Sequence, residues 1–365
     1  MSSERSNVVL LGASGTLGGF IAELISELAD KINLIVAMRH PPKEGSELSS
    51  FEYRHLDLAK PATFEAVLKD ADILIHAAGP FTHDPAPLVQ ACLSTATHYI
   101  DIAEDPGFIN RIHETVSKFS NPSSFVAPGC STIPGLVELL AQRFAGIESL
   151  NKINIYLNMG SSNPVSLGLF RSLLEPIGRN IGDSLLCFRR LHKRRHRDEL
   201  SRGYGDYPLP FRGGLAISGK QVKGHFYAGF DRLYINVSLV MASYLLPYFS
   251  NNALTLLAKS LLPIANLFRY FGGSEGRLVV EACNKEGNIL AQWEIIAKDR
   301  GLYLPAAPAV WVMAALLHRK SEHYTHASSG LQNLGDLISI PSVIEWLELH
   351  GYEIEYSLSE DLTAC

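Results

Sequence analysis

Val8-Val9-Leu10-Leu11-Gly12-Ala13-Ser14-Gly15-Thr16-Leu17-Gly18-Gly19 reads as a buried strand, a glycine turn and the opening of a helix. Past the turn, Phe20, Ile21, Leu24, Ile25 and Leu28 recur at helical spacing, with Glu23 and Glu27 on the other face. Gly12 lets the chain turn sharply off the strand. Gly15 lets backbone approach a pyrophosphate, and Gly18 lets the helix pack closely on the sheet. Ser14, Thr16 and Leu17 complete the set around the phosphates. These would sit at the helix N-terminus, where unpaired N–H groups and the macrodipole favour negative charge. A tight strand-to-helix turn with no ligand is the alternative.

The second strand, Ile32 to Met38, is followed by Arg39-His40, and no Asp or Glu lies between Lys31 and Lys43. A site for NAD ordinarily places an acidic residue there to bond the ribose 2′-OH. A guanidinium at Arg39 would instead grip a 2′-phosphate through its planar fork. The expected cofactor is therefore NADP(H), against the alternative that Arg39 is a solvated loop charge. Strand and helix signals then alternate up to a sixth strand at Ser124 to Ala127, the pattern of a doubly wound parallel sheet. Its ligand crevice lies beyond the carboxyl ends of the strands. Asp57 and Ala78-Gly79-Pro80 fall there and are expected to line the cofactor; Asp101 and Cys130 fall there too.

At 365 residues the chain has room for two cores. Three segments are expected: a Rossmann domain over 1–128, an α+β substrate and dimerisation domain over 129–325, and a C-terminal segment over 326–365 packing back on the first. Alternation at Asn151 to Asn158, Arg277 to Cys283 and Ile289 to Ile296 predicts a largely antiparallel second sheet. The net charge of −5 argues against nucleic acid. Cys92, Cys130, Cys187, Cys283 and Cys365 lack CxxC spacing, which fits free thiols in a reducing compartment and offers no metal site. Without a signal-peptide pattern at the N-terminus, the expected location is cytoplasmic.

Two segments bear on membranes. Arg189 to Arg197 packs six Lys/Arg into nine positions, read as a solvated loop or as a contact for anionic lipid or a phosphate-bearing ligand. Leu233 to Ala258 holds no charged residue, but Pro247 and Ser250-Asn251-Asn252 split it into pieces too short to span a bilayer comfortably. Buried helices are one reading of it, and peripheral membrane contact is the other.

The chain resembles the saccharopine dehydrogenase-like NADP-binding family. The resemblance rests on GASGTLGG at Gly12 to Gly19, AMR at Ala37 to Arg39, AAGPF at Ala77 to Phe81, QACLSTATHYIDIAED at Gln90 to Asp105 and PGCSTIPGL at Pro128 to Leu136. More loosely, RLYINVSL, FGGSEGRLVVEA and YLPAAPAVWVMAALL are similar to a poorly characterised bacterial branch. This resemblance implies a Rossmann domain plus an α+β domain, NADP(H), and a small-molecule substrate.

Hydride transfer needs a proton donor or polariser beside the acceptor. The catalytic candidates are Asp101, His98 and Cys130, each with a structural alternative: a strand-end cap, a satisfied histidine and a packed thiol. No Tyr has Lys four positions on, which disfavours short-chain reductase chemistry, and HExxH is absent. The expected function is an NADP(H)-dependent oxidoreductase acting on a C=N or C=O bond. The rivals are a non-catalytic NADP(H)-binding redox sensor and a membrane-peripheral protein.

Overall fold

The computed structural model describes residues 5–28, 30–182, 184–196, 198, 200–211, 214–321 and 330–359. Arg197 and Cys365 lie outside them. The chain forms two compact units. One contains the chain up to Leu136 and Tyr303–Ser339; the other contains Val137–Leu302 and the chain from Ile340 onward.

In the first unit, β1 (Ser6–Leu11), β2 (Ile32–Met38), β3 (Glu52–His55), β4 (Ile73–His76), β5 (His98–Asp101), β6 (Phe125–Ala127) and β14 (Gly330–Leu331) form one sheet. Its order is β14-β6-β5-β4-β1-β2-β3, and every pairing is parallel. The order reverses direction between β1 and β4, which opens a crevice at their carboxyl ends. Val8, Val9 and Leu10 are fully buried because helices cover both faces of a parallel sheet. These are α1 (Thr16–Ser26), α2 (Phe64–Leu68), α3 (Ala86–Ser94) and α4 (Pro106–Val116). Helix α4 starts where it does because Asp105 accepts from the Phe108 N–H at 2.6 Å and Pro106 takes the first helical position.

The division differs from the expected boundaries at 128 and 325. Helix α9 (Ala307–Ser321) belongs to the first unit. Its Ala307, Ala309, Val310, Val312 and Met313 are all buried, so it needs cover on more than one side, as an apolar helix does. It packs near α1, where the Tyr303 ring lies 4.4 Å from Phe20 and its hydroxyl donates to Glu23 at 2.6 Å. The C-terminal segment is shared. β14 and α10 (Leu334–Leu337) stay with the parallel sheet, whereas α11 (Ile340–Leu349) and β15 (Tyr352–Leu358) join the second unit. There β15 pairs with β13 along seven positions, Ala291↔Leu358 to Ala297↔Tyr352.

The second unit holds β7 (Lys152–Met159), β8 (Leu191–Arg195), β9 (Ser201–Tyr207), β10 (Leu215–Ile217), β11 (Lys220–Phe230), β12 (Gly276–Cys283) and β13 (Ile289–Ala297). The sheet order is β15-β13-β12-β7-β11-β9-β8, with β10 on β11. Only β7 and β11 pair in parallel; the other pairings are antiparallel. Around it lie α5 (Val137–Ala141), α6 (Leu167–Leu174), α7 (Leu233–Ala242) and α8 (Asn251–Phe268).

Strand alternation gives this sheet two unlike faces. Leu278, Val280, Ile153, Ile155 and Trp293 are buried on one, where the Trp293 indole donates to the Leu140 carbonyl of α5 at 3.0 Å. Arg277, Glu281, Asn154, Asn158, Gln292 and Glu294 are buried on the other. The basic run is not a solvated loop: residues 191–195 form β8, paired with β9. Arg194 is committed to Glu281 at 2.7 Å and to Gln292 at 3.2 Å, with its guanidinium 5.0 Å from the Tyr156 ring centre. The buried carboxylate of Glu281 draws Arg194 inward, while Lys193 and Arg195 stay exposed, a division that local charge density could not reveal.

Candidate functional site

A cleft of about 590 Å³ opens at the carboxyl ends of β1, β2, β3 and β4, within the first unit. Its floor is the glycine turn. Gly12 has φ +93° and sits so close to the β4 end that a Cβ there would come 2.6 Å from the Ala78 backbone nitrogen. A Cβ on Gly18 would come 2.1 Å from the Gly12 carbonyl oxygen, so Gly18 joins helix to strand. Gly15 differs from both. The nearest atom to a Cβ there is the Gly12 carbonyl oxygen at 3.3 Å, and the exposed residue borders the cleft. That is a backbone left bare on the side a phosphate would approach. Gly15 caps α1, Thr16 and Leu17 begin it, and its first turn has no acidic residue, so its positive end is unopposed.

Eight of the expected cofactor residues border this cleft: Gly12, Ser14, Gly15, Arg39, Asp57, Ala78, Gly79 and Pro80. Arg39 is exposed at the end of β2, and its guanidinium makes no hydrogen bond or ion pair among the described residues. Asp57 is occupied locally, accepting from the Ala59 N–H at 3.1 Å. The residues present therefore fit a dinucleotide: a bare glycine backbone at a helix N-terminus, and an uncommitted cation farther along the same cleft. The size falls in the range usual for ligand sites.

The three catalytic candidates do not converge. Asp101 ends β5 fully buried, and its Oδ1 accepts from the N–H groups of Ala103 and Gly129, both at 2.9 Å. It ties two strand ends together. Burial pushes its carboxyl up to about 6, because two backbone donors offset only part of the desolvation. Cys130 is buried with its thiol on the Ala127 carbonyl at 3.4 Å, and burial raises it well above the ordinary thiol range. That disfavours the thiolate a nucleophile needs. His98 begins β5, where its Nδ1 accepts from the Phe125 N–H at 3.1 Å. It is three residues, roughly 10 Å, from the crevice end of its strand.

Sequence reasoning passed over a histidine pair at the cleft wall. His76 is the last residue of β4 and fully buried; His83 borders the cleft. Their ring centres lie 5.2 Å apart, and both pack on Phe108. His76 Nδ1 is 3.1 Å from the Tyr99 hydroxyl, and Nε2 of each histidine is buried without a hydrogen-bond partner among the described residues. Burial first, then the neighbouring His83, push His76 down to about 3; burial also lowers His83. A polar residue closing the apolar run Asp72-Ile73-Leu74-Ile75-His76 was the available signal. Among the described residues no group of three or more His, Cys, Asp or Glu could hold a metal ion, and no helix is long and apolar enough to cross a membrane.

Residues 8–123 match the family model described as the saccharopine dehydrogenase NADP binding domain. The mouse saccharopine dehydrogenase-like oxidoreductase is 26% identical over 126 residues, covering 29% of each chain. The trans-acting enoyl reductase of Mycobacterium ulcerans is 28% identical over 109 residues, covering 28% of this chain and 26% of that one. The chain thus spans under a third of the length of these curated relatives. Apo saccharopine dehydrogenase from Saccharomyces cerevisiae superposes with a TM-score of 0.62 at 14% identity, over 97% of this chain and 100% of that one. Residues 8–123 thus match the NADP binding domain of saccharopine dehydrogenase, and the chain's fold is like that of the yeast enzyme.

Proposed function

We propose that the protein is an NADP(H)-dependent oxidoreductase acting on a C=N or C=O bond of a small molecule. The observation that carries this reading is Arg39, an uncommitted guanidinium in the same cleft as the bare Gly15 backbone. Bound there, NADP(H) would supply the hydride. Gly15, Thr16 and Leu17 would hold the pyrophosphate through backbone N–H groups, and Arg39 the 2′-phosphate. Asp101 acts as a positioning residue that fixes the loops after β5 and β6. Cys130 packs, and His98 braces β6. His83, neutral at neutral pH because burial lowers it, presents a hydrogen-bonding ring at the cleft wall.

The enoyl reductase name of the mycobacterial relative supports a second reading, reduction of an activated C=C bond. NADPH oxidation across keto acids, cyclic imines, lipid aldehydes and enoyl thioesters separates the two. Turnover on imines or carbonyls alone is expected, and turnover on enoyl thioesters alone would replace the first reading by the second. Tight NADPH binding with no turnover on any of them would favour the redox sensor.

A further inference from the structure

Helix α7 is inside out. Its single buried residue is Asn236, which accepts from the Phe230 N–H at 2.8 Å and donates to the carbonyls of Phe230 at 2.8 Å and Gly203 at 3.2 Å. A polar residue thus anchors the helix, while Leu233, Val237 and Met241 follow one another at i, i+4 and i+8 and are 65%, 42% and 68% exposed. The segment continues in the same manner. Tyr248 is 86% exposed in the connection, and Leu256, Ile264 and Leu267 stand half or more exposed along α8. Tyr270 and Phe271 close it at 86% and 66%. Buried anchors on α8 are few: Leu254, Ala258 and the Arg171 side chain bonded to Thr255 at 3.1 Å. Isolated exposed leucines need no explanation, but two successive helices that turn their apolar rows outward do.

The charges say what covers this surface. From Leu233 to Ser274 there is no Asp or Glu, and the charged residues are Lys259 and Arg269. Lys259 is exposed, Arg232 opens the segment beside its partner Asp231 at 3.2 Å, and the Arg189 guanidinium lies 4.0 Å over the Tyr244 ring. A second copy meeting this face about a two-fold axis would set cations against cations with no carboxylate of the segment to pair them. A lipid surface has the complementary sign and requires no matching shape. The exposed tyrosines suit the headgroup layer, apolar in body and polar at the tip. No described helix is long and apolar enough to cross a membrane, so the geometry is that of a segment lying in the interface.

We infer that α7 and α8 dock the protein on a phospholipid surface bearing anionic headgroups. This puts the contact on the apolar helices, with Arg189 of the basic run at their edge and Arg194 tied to Glu281 inside the second unit.

The test is co-flotation of the full chain with vesicles of phosphatidylcholine mixed with phosphatidylglycerol, and with vesicles of phosphatidylcholine alone. The wild type is expected to float with the anionic vesicles and more weakly with the neutral ones. Met241→Glu/Leu267→Glu should lose vesicle affinity by on the order of tenfold or more. Leu349→Glu, which alters an 80% exposed leucine on α11, should float as the wild type does. A milder pair, Met241→Ser/Leu267→Ser, guards against misfolding, and unchanged NADPH binding reports the fold in each. Absence of wild-type flotation overturns the inference, as does undiminished flotation of both pairs or an equal loss in Leu349→Glu. Equal wild-type flotation on both compositions overturns the anionic requirement. A wild-type dimer that both pairs dissociate in light scattering would reassign the face to a second copy.

Discussion

The two sheets bury different things, and the contrast explains why one was readable and the other was not. The parallel sheet buries apolar strands under helices: Val8, Val9, Leu10, Ile35 and Ile75 have no exposed surface. The second sheet buries apolar residues on one face and ionised groups on the other. There Arg277 bonds Asp198 at 2.5 Å, Glu294 at 3.1 Å and Glu275 at 3.1 Å, while His196 joins Glu294 at 3.1 Å to Tyr204 at 2.8 Å. Apolar burial announces itself in a sequence, because water-avoiding side chains recur at the period of the element. Charge burial requires partners from distant strands, and the partners of Arg277 and Arg194 come from up to 98 positions away.

Four predictions would sharpen or break that contrast. The largest effect is expected for Gly18→Val, whose side chain would begin 2.1 Å from the Gly12 carbonyl oxygen. It should cost more than about 4 kcal/mol and abolish NADPH binding, read by thermal unfolding and fluorescence titration. A variant that melts like the wild type would remove Gly18 from the helix–strand contact. Next comes Arg277→Ala, which takes the guanidinium away from the buried Glu294 and leaves His196 beside it, and should cost about 3–5 kcal/mol in denaturant unfolding. Val9→Ala in the first sheet removes apolar atoms only and should cost about 2 kcal/mol. If the two rank the other way, the buried charges are better hydrated than their exposure indicates.

The third is acid sensitivity. His76 titrates near 6.5 when unfolded and about 3 when folded, so the unfolded chain binds the extra proton between those values. Stability conferred by keeping His76 neutral is present above pH 6.5 and is lost as pH falls toward 3. Relative to His76→Phe, the wild type should lose roughly 3–5 kcal/mol across that window. Parallel stability–pH curves for the two proteins would show that His76 takes up its proton without unfolding. The smallest effect belongs to Arg39→Ala. NADPH binding should weaken by about tenfold to a hundredfold, the range of a charge-assisted contact, while NADH binding stays unchanged. Equal losses for both cofactors would move the 2′-phosphate elsewhere.

Much of the first unit was legible. Gly12, Gly15 and Gly18 have the three separate environments that their spacing predicted, and β1 to β6 lie in doubly wound order. Arg39 borders the cleft as expected. The catalytic candidates fared otherwise, because position along a strand does not say what a side chain bonds. Asp101 is held by two backbone donors, and His98 stands at the far end of its strand. His76 and His83 were missed because a histidine closing an apolar strand looks like any capped end until its neighbours are known. The apolar stretch from Leu233 was read either as buried helices or as peripheral membrane contact. The structure leaves half of its apolar side chains exposed, because α7 is anchored through Asn236 and not through its leucines.

By itself, the sequence determined the glycine turn on the floor of the cleft proposed to hold a dinucleotide. A strand, three glycines and a helix act within one short segment, so the requirements of that site are local and leave their mark in adjacent residues. Only the tertiary structure decided where α9 belongs, which cations are internal, and which helices face outward. Each of those depends on partners brought together from separate parts of the chain, and no periodicity in one segment records the identity of a partner in another.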